Sequence, residues 1–164
     1  MIQFFIPGRP TGKGRPRVCR NVTYTPQKTR DYETLVKQCY IAKYADKQPI
    51  PAKTPIAVTI YAYFQIPKNM PKKQQELIKI NKLFPTKTPD ADNVSKIILD
   101  AQNGLAYADD NQVTDLTIHK RYAISECVVG VFVEIKEVFW IMSEILSLLI
   151  IYIAIMIVAG LILR

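Results

Sequence analysis

Residues Ile56–Ile66 read IAVTIYAYFQI, a run dominated by β-branched and aromatic side chains and closed by Pro55 before it and Pro67 after it. Such side chains fit a pleated, well-covered surface, and proline cannot extend the ladder at either end. The run predicts a central strand, and a central strand needs neighbours. Ile2–Ile6, Val18–Tyr24, Val113–Tyr122 and Val128–Ile135 are the segments patterned to supply them. Three helices are expected between these strands. One starts at Thr25-Pro26, with Tyr32, Leu35, Val36, Cys39 and Tyr40 at helical spacing. A short basic helix covers Lys72–Ile80, and a third covers Asp92–Asn103, ended by Gly104. Strands and helices mix without strict alternation, so the expected class is α+β, a mixed β-sheet flanked by helices.

The 164 residues suit one such domain, expected over 1–137, followed by a hydrophobic segment over 138–164. Charge narrows the function. With 22 Lys and Arg against 14 Asp and Glu, the formal net charge is +8. A polyanionic partner fits that balance, nucleic acid first and an anionic membrane surface second, although a generically basic protein has it too. The three cysteines are widely spaced and form no CxxC pair, and His119 is the only histidine. Zinc sites, a disulfide framework and Ser/His/Asp catalysis therefore have little support. The apolar start, Met1–Ile6, has no basic n-region, so a secretory leader is not expected.

Against this basic background, Asp90, Asp92, Asp100, Asp109 and Asp110 put five of the 14 acids into 21 positions. On the third helix, Val94, Ile97, Ile98 and Ala101 follow the core-facing pattern. Asp92, Lys96 and Asp100 are spaced four apart on another face. Asp90 precedes the helix, and Asp109-Asp110 arrive after the Gly104 turn. Asp90, Asp92 and Asp110 are the candidates to converge as hard oxygen ligands for Mg²⁺, with Mn²⁺ as a substitute. Lys96 is then placed to neutralise a scissile phosphate. Each residue also has an ordinary role. Asp90 or Asp92 fits an N-cap, Asp92–Lys96 an i,i+4 pair, and Asp109-Asp110-Asn111 a polar turn.

A second basic feature lies near the amino terminus. Arg9, Lys13, Arg15 and Arg17 sit in a Gly/Pro loop able to hold phosphates through charge and backbone N–H groups. A nucleotide-binding P-loop is excluded there. Three residues rather than four separate Gly8 and Gly12, no Ser or Thr follows Lys13, and Pro10 interrupts. Lys68, Lys72 and Lys73 extend the positive surface, with Lys72 and Lys73 as further DNA-binding candidates. Tyr24, Tyr32 and Tyr107 are expected in the core or on helix faces rather than as base-stacking platforms.

Together these residues carry a resemblance. The spacing Asp90-x-Asp92-Asn93-x-x-Lys96-x-x-x-Asp100-Ala101, then Gly104, then Asp109-Asp110-x-Gln112-Val113, resembles the core of the RusA family of Holliday-junction resolvases. So do Ile6-Pro7-Gly8-x-Pro10-x-Gly12-Lys13-Gly14-Arg15-Pro16-Arg17 and Tyr24-Thr25-Pro26, which look like the phage and prophage branch. The likeness spans about residues 1–137. It implies a homodimeric, Mg²⁺-dependent endonuclease that resolves four-way DNA junctions by paired, symmetric nicks. By the resemblance, the metal-binding aspartates fall on Asp90, Asp92 and Asp110 and the catalytic lysine on Lys96, with Asp100 and Asp109 supporting. The same residues are compatible with a nuclease for forks or flaps, or with a catalytically idle DNA-binding protein of this fold.

The end of the chain departs from that family. Ile145–Leu163 carries no charge and, as a helix, would be about 28 Å long, close to the hydrocarbon thickness of a bilayer. A transmembrane anchor, a frameshifted or fused terminus, and a helix pairing in a dimer are the readings open to it. Insertion would keep the basic domain cytoplasmic.

Overall fold

The computed structural model describes residues 1–19, 22–138 and 150–152. Its elements are β1 (Ile2–Pro7), β2 (Arg17–Cys19), β3 (Val22–Tyr24), α1 (Gln27–Tyr44), β4 (Ile56–Phe64), α2 (Lys72–Lys79), α3 (Ala91–Gln102), β5 (Val113–Tyr122) and β6 (Gly130–Glu137). The strand expected at the centre is there. β4 pairs antiparallel with β6 on one side and parallel with β5 on the other, in the order β1-β6-β4-β5. The sheet is therefore mixed and the class α+β, as the order of strand and helix patterns indicated.

Strict alternation along β4 buries Ile56, Val58, Ile60, Ala62 and Phe64 on one face. β1 adds Ile2, Phe4 and Ile6 to that face, and β6 adds Val131, Val133 and Ile135. Tyr32, Val36 and Tyr40 of α1 join the same buried cluster, as do Val94, Ile97, Ile98 and Ala101 of α3. The apolar stripe expected on α3 is thus the stripe that is buried. A parallel pair cannot be joined by a hairpin, so the chain between β4 and β5 must cross over. That crossover carries α2 and α3, and with them Asp90, Asp92, Lys96 and Asp100, to the edge of β5.

Three expectations are corrected in detail. Val18–Tyr24 is a small hairpin, β2 pairing with β3, rather than one strand of the main sheet. Val18 and Tyr24 are exposed there, at 70% and 44%, so the segment has no apolar face to offer the core. Tyr24 accordingly lies outside the core, unlike Tyr32 and Tyr107. The last strand starts two residues later than expected, because Glu126–Val128 form a 3₁₀ turn. Gly104 does end α3, at φ +71°, a conformation that glycine adopts without a Cβ penalty. No helix among the described residues is long and apolar enough to cross a membrane. The C-terminal hydrophobic helix and the span 145–163 lie outside the described residues except for Ile150–Tyr152, which are helical and exposed.

Candidate active site

The amino end of α3 organises the site. Asp90 stands at the N-cap with extended backbone (φ −70°, ψ 155°), and its carbonyl accepts the first helical bond from the Val94 N–H at 3.1 Å. Its carboxylate makes no capping hydrogen bond. A side chain kept only to cap the helix would make one, so among the described residues both Asp90 oxygens are left for another partner. Asp92 follows in the first turn, where the helix dipole favours negative charge. Lys96 Nζ reaches Asp92 Oδ2 at 3.3 Å on the exposed face, as the four-residue spacing required.

The basic loop is docked onto this helix end. The Lys13 backbone N–H donates to the Asn93 carbonyl at 2.8 Å, and the Lys13 ammonium pairs with Asp100. Gly12 makes the approach possible. A Cβ built there would lie 2.8 Å from the Pro89 Cβ and 3.0 Å from that of Asn93, closer than packed carbons allow. On the loop's other side, the Gly14 N–H donates to Thr29 Oγ1 of α1 at 3.2 Å. Asp100 and Lys13, assigned separately from the sequence, thus act as one clamp between loop and helix.

Docking leaves an open groove of about 560 Å³ whose walls include Arg9, Arg15, Arg17, Lys28, Asp90 and Asn93. Positive charge and a free carboxylate meet in one concavity. Lys28 and Thr29 line it as well, and the sequence reading missed both because they lie on a helix with no motif of its own. Lys72 and Lys73 are exposed on α2 and do not line the groove.

Asp109 and Asp110 sit at the mouth of β5 in a tightly built turn. The Asp109 carboxylate accepts the Asn111 N–H at 2.8 Å, and Gln112 Oε1 accepts the Asp109 N–H at 2.9 Å. Gln112, buried, also donates to the Pro51 and Thr54 carbonyls at 2.7 and 2.9 Å. Asp109 is thereby occupied as a cap, whereas Asp110 is exposed. Tyr107 is fully buried and donates to the Leu99 carbonyl at 2.9 Å, so it offers no base a stacking surface. Burial, then the charge of Asp110, pushes its hydroxyl pKa up.

Comparison with known proteins decides the family. Residues 7–136 match the family described as Endodeoxyribonuclease RusA. The chain belongs to this family. It is also 34% identical over 126 residues to a Bacillus subtilis (strain 168) protein described as "Uncharacterized protein YqaN", covering 74% of this chain and 88% of that one. The family match, over 7–136, takes in the loop, α3 and the Asp109-Asp110 turn alike.

Among the described residues of this RusA-family chain, no three His, Cys, Asp or Glu side chains lie together as a ready-made metal cage. The donor set nevertheless fits Mg²⁺ in kind. Mg²⁺ takes hard oxygens and commonly binds through one or two carboxylates, with waters and substrate phosphates completing its shell. Asp90, with its carboxylate unused by the helix, meets that requirement directly.

Proposed function

We propose that this RusA-family endonuclease is Mg²⁺-dependent and resolves four-way DNA junctions by paired, symmetric nicks. The observation that carries the reading is the groove in which the Arg9–Arg17 loop meets the uncommitted carboxylate of Asp90. In this reading Asp90 would hold Mg²⁺ first, and Asp92 and Asp110, which form no cage with it beforehand, would close on the ion together with the substrate phosphate. Bound there, Mg²⁺ would supply an activated water and offset charge on the leaving oxygen. Arg9, Arg15 and Arg17 grip the phosphate backbone, and the loop's clamp to α3 fixes its distance from the carboxylates. Lys96, on the exposed face beside Asp92, exchanges its carboxylate partner for the scissile phosphate and stabilises the charge that builds there.

Two opposed cuts need two sites, hence a homodimer. The sheet face opposite the core supports one. Tyr61 stacks on His119 with ring centroids 4.7 Å apart and lies 6.3 Å from Phe132, while Phe5 is 37% exposed. An aromatic-rich face of this kind suits burial against a second copy. A membrane-held form with a cytoplasmic catalytic domain rests on the hydropathy of 145–163; recovery of the full chain in a detergent-free soluble fraction would refute it.

The test is to incubate the full chain with four-way, forked, flapped and duplex DNA, with and without Mg²⁺. Paired nicks confined to the four-way junction and requiring Mg²⁺ are expected. Equal cutting of forks or flaps would replace the junction with a broader branched substrate. Binding without cutting would leave a DNA-binding protein.

A further inference from the structure

The groove has a neighbour that no catalytic role uses. A second hollow of about 360 Å³ shares Arg9 and Thr88 with it, so the two meet across the segment that leads into Asp90. Phe64, Tyr122, Pro67 and Pro85 contribute its apolar walls, and Gln65 adds an amide at the rim. Arg9, Lys68 and Lys87 line it, and no acidic residue does. A third, smaller hollow of about 220 Å³ continues the path, sharing Gln65, Ile66, Lys68 and Val129, and Glu126 lines it where it accepts from the Gln65 amide.

The geometry points to the second hollow as a binding subsite for one unpaired nucleotide of a DNA strand whose phosphate occupies the groove. Each part of a nucleotide has a counterpart. The flat faces of a base suit the half-buried Tyr122 ring and the exposed Pro67 ring, with the buried Phe64 and Pro85 as the apolar floor beneath. The base's polar edge can exchange hydrogen bonds with the Gln65 amide, which both donates and accepts and which would release its 3.4 Å bond to Glu126 Oε1 to do so. The flanking phosphates need cations, and Arg9, Lys68 and Lys87 are at the rim. A stacked duplex does not fit a hollow of this size, so a base must leave the stack to enter. A branch point is where bases leave the stack most readily.

The wall between groove and hollow is also firm. Lys120 Nζ donates to the Lys87 carbonyl at 2.7 Å and to the Pro89 carbonyl at 2.8 Å, pinning the chain on both sides of Thr88. A base held in the hollow and a phosphate held in the groove are therefore kept in a fixed relation, and the hollow would set which nucleotide flanks the cut. This inference rests on the junction-binding reading, but its test needs binding alone.

The experiment places 2-aminopurine singly at each position around the branch point of a four-way junction. The full chain carrying Asp90→Asn is titrated in without divalent metal, and fluorescence and anisotropy are followed together. At one position in each of the two opposed strands the fluorescence should rise severalfold as the base unstacks. Gln65→Ala and Lys68→Ala, both at exposed positions, should abolish most of that rise and weaken junction binding by about tenfold. Binding with no rise at any position, or a rise that both variants leave intact, overturns the proposal. Wild-type cleavage scored in parallel keeps the two readings apart: paired nicks without a fluorescence rise refute the hollow and leave the resolvase standing, whereas a rise without nicks does the reverse.

Discussion

Lys120 donates from Nζ to the carbonyl oxygen of Pro89 at 2.8 Å, one peptide before Asp90. The same ammonium holds the Lys87 carbonyl at 2.7 Å and lies 5.4 Å from the centroid of the Phe64 ring. An edge strand thus grips the segment that presents the carboxylate. Lys120 is a positioning residue in this arrangement. Lys120→Met should lower kcat by roughly 10–100-fold, the scale expected when a reacting group is displaced by about an ångström. KM for the junction should move little, and Lys120→Arg, which keeps donors at the same place, should recover most of the loss. Parallel loss in kcat and binding, with no rescue by Arg, would mean that Lys120 only supports the fold.

Asp90→Asn and Asp110→Asn should each abolish cleavage while junction affinity stays the same or rises, because removing a negative charge beside a phosphate weakens repulsion. Asp109→Asn should cost less, since Asp109 already serves the Asn111 N–H as a cap. Lys96→Ala should slow cutting by about 10²–10³-fold, as loss of a donor aimed at developing charge does elsewhere. The measurement is single-turnover cleavage beside electrophoretic binding of the same junction. Equal loss of binding in the aspartate variants would make those carboxylates structural.

Why some of this was legible and some not has a physical reason. The period-two pattern of β4 and the i, i+3, i+4 pattern of α3 are set by burial, so reading burial from sequence found both. The Asp92–Lys96 pair follows from helix geometry alone. The Lys13–Asp100 clamp, the Gln112 anchor to Pro51 and Thr54, and the Lys120 grip on Lys87 and Pro89 join residues 31 to 87 positions apart. No local period encodes such contacts. The β2–β3 hairpin was misread because its apolar residues are too few and too exposed to pack on the sheet.

Gly12→Ala tests the docking of the loop. The added Cβ would meet Pro89 and Asn93 at 2.8 and 3.0 Å, so the loop or the helix end must shift. Overpacking of this kind costs about 1–3 kcal/mol, and thermal unfolding should show a lower Tm. Cleavage should fall further than stability accounts for at a temperature where the variant is still folded, because the shifted atoms adjoin Asp90. An unchanged Tm would show that the contact relaxes freely.

The outer sheet face makes a pH prediction. A hydrogen bond from Lys136, then one from Gln3, holds the Glu134 carboxyl below the usual carboxylate range. A depressed folded value means that stability from this group is present above the unfolded pKa and lost as pH falls through the folded one. Glu134→Gln should therefore lower Tm at neutral pH, and the gap to wild type should close in acid. A gap that stays constant from neutral to acid would show that the charge of Glu134 contributes nothing.

Salt dependence separates the basic residues by what they touch. Arg9, Arg15 and Arg17 are exposed at the groove, whereas the Lys13 ammonium is engaged by Asp100. Each side chain that neutralises a phosphate adds about 0.9 to the slope of log Kobs against log salt. Alanine at any of the three arginines should reduce the measured slope by roughly one, with affinity lost evenly across junction sequences. Lys13→Ala should leave the slope nearly unchanged and reduce cleavage instead, since what it releases is the loop from α3. Asp100→Asn should mirror that loss of cleavage, and a full-unit change of slope in Lys13→Ala would put its ammonium on DNA rather than on Asp100.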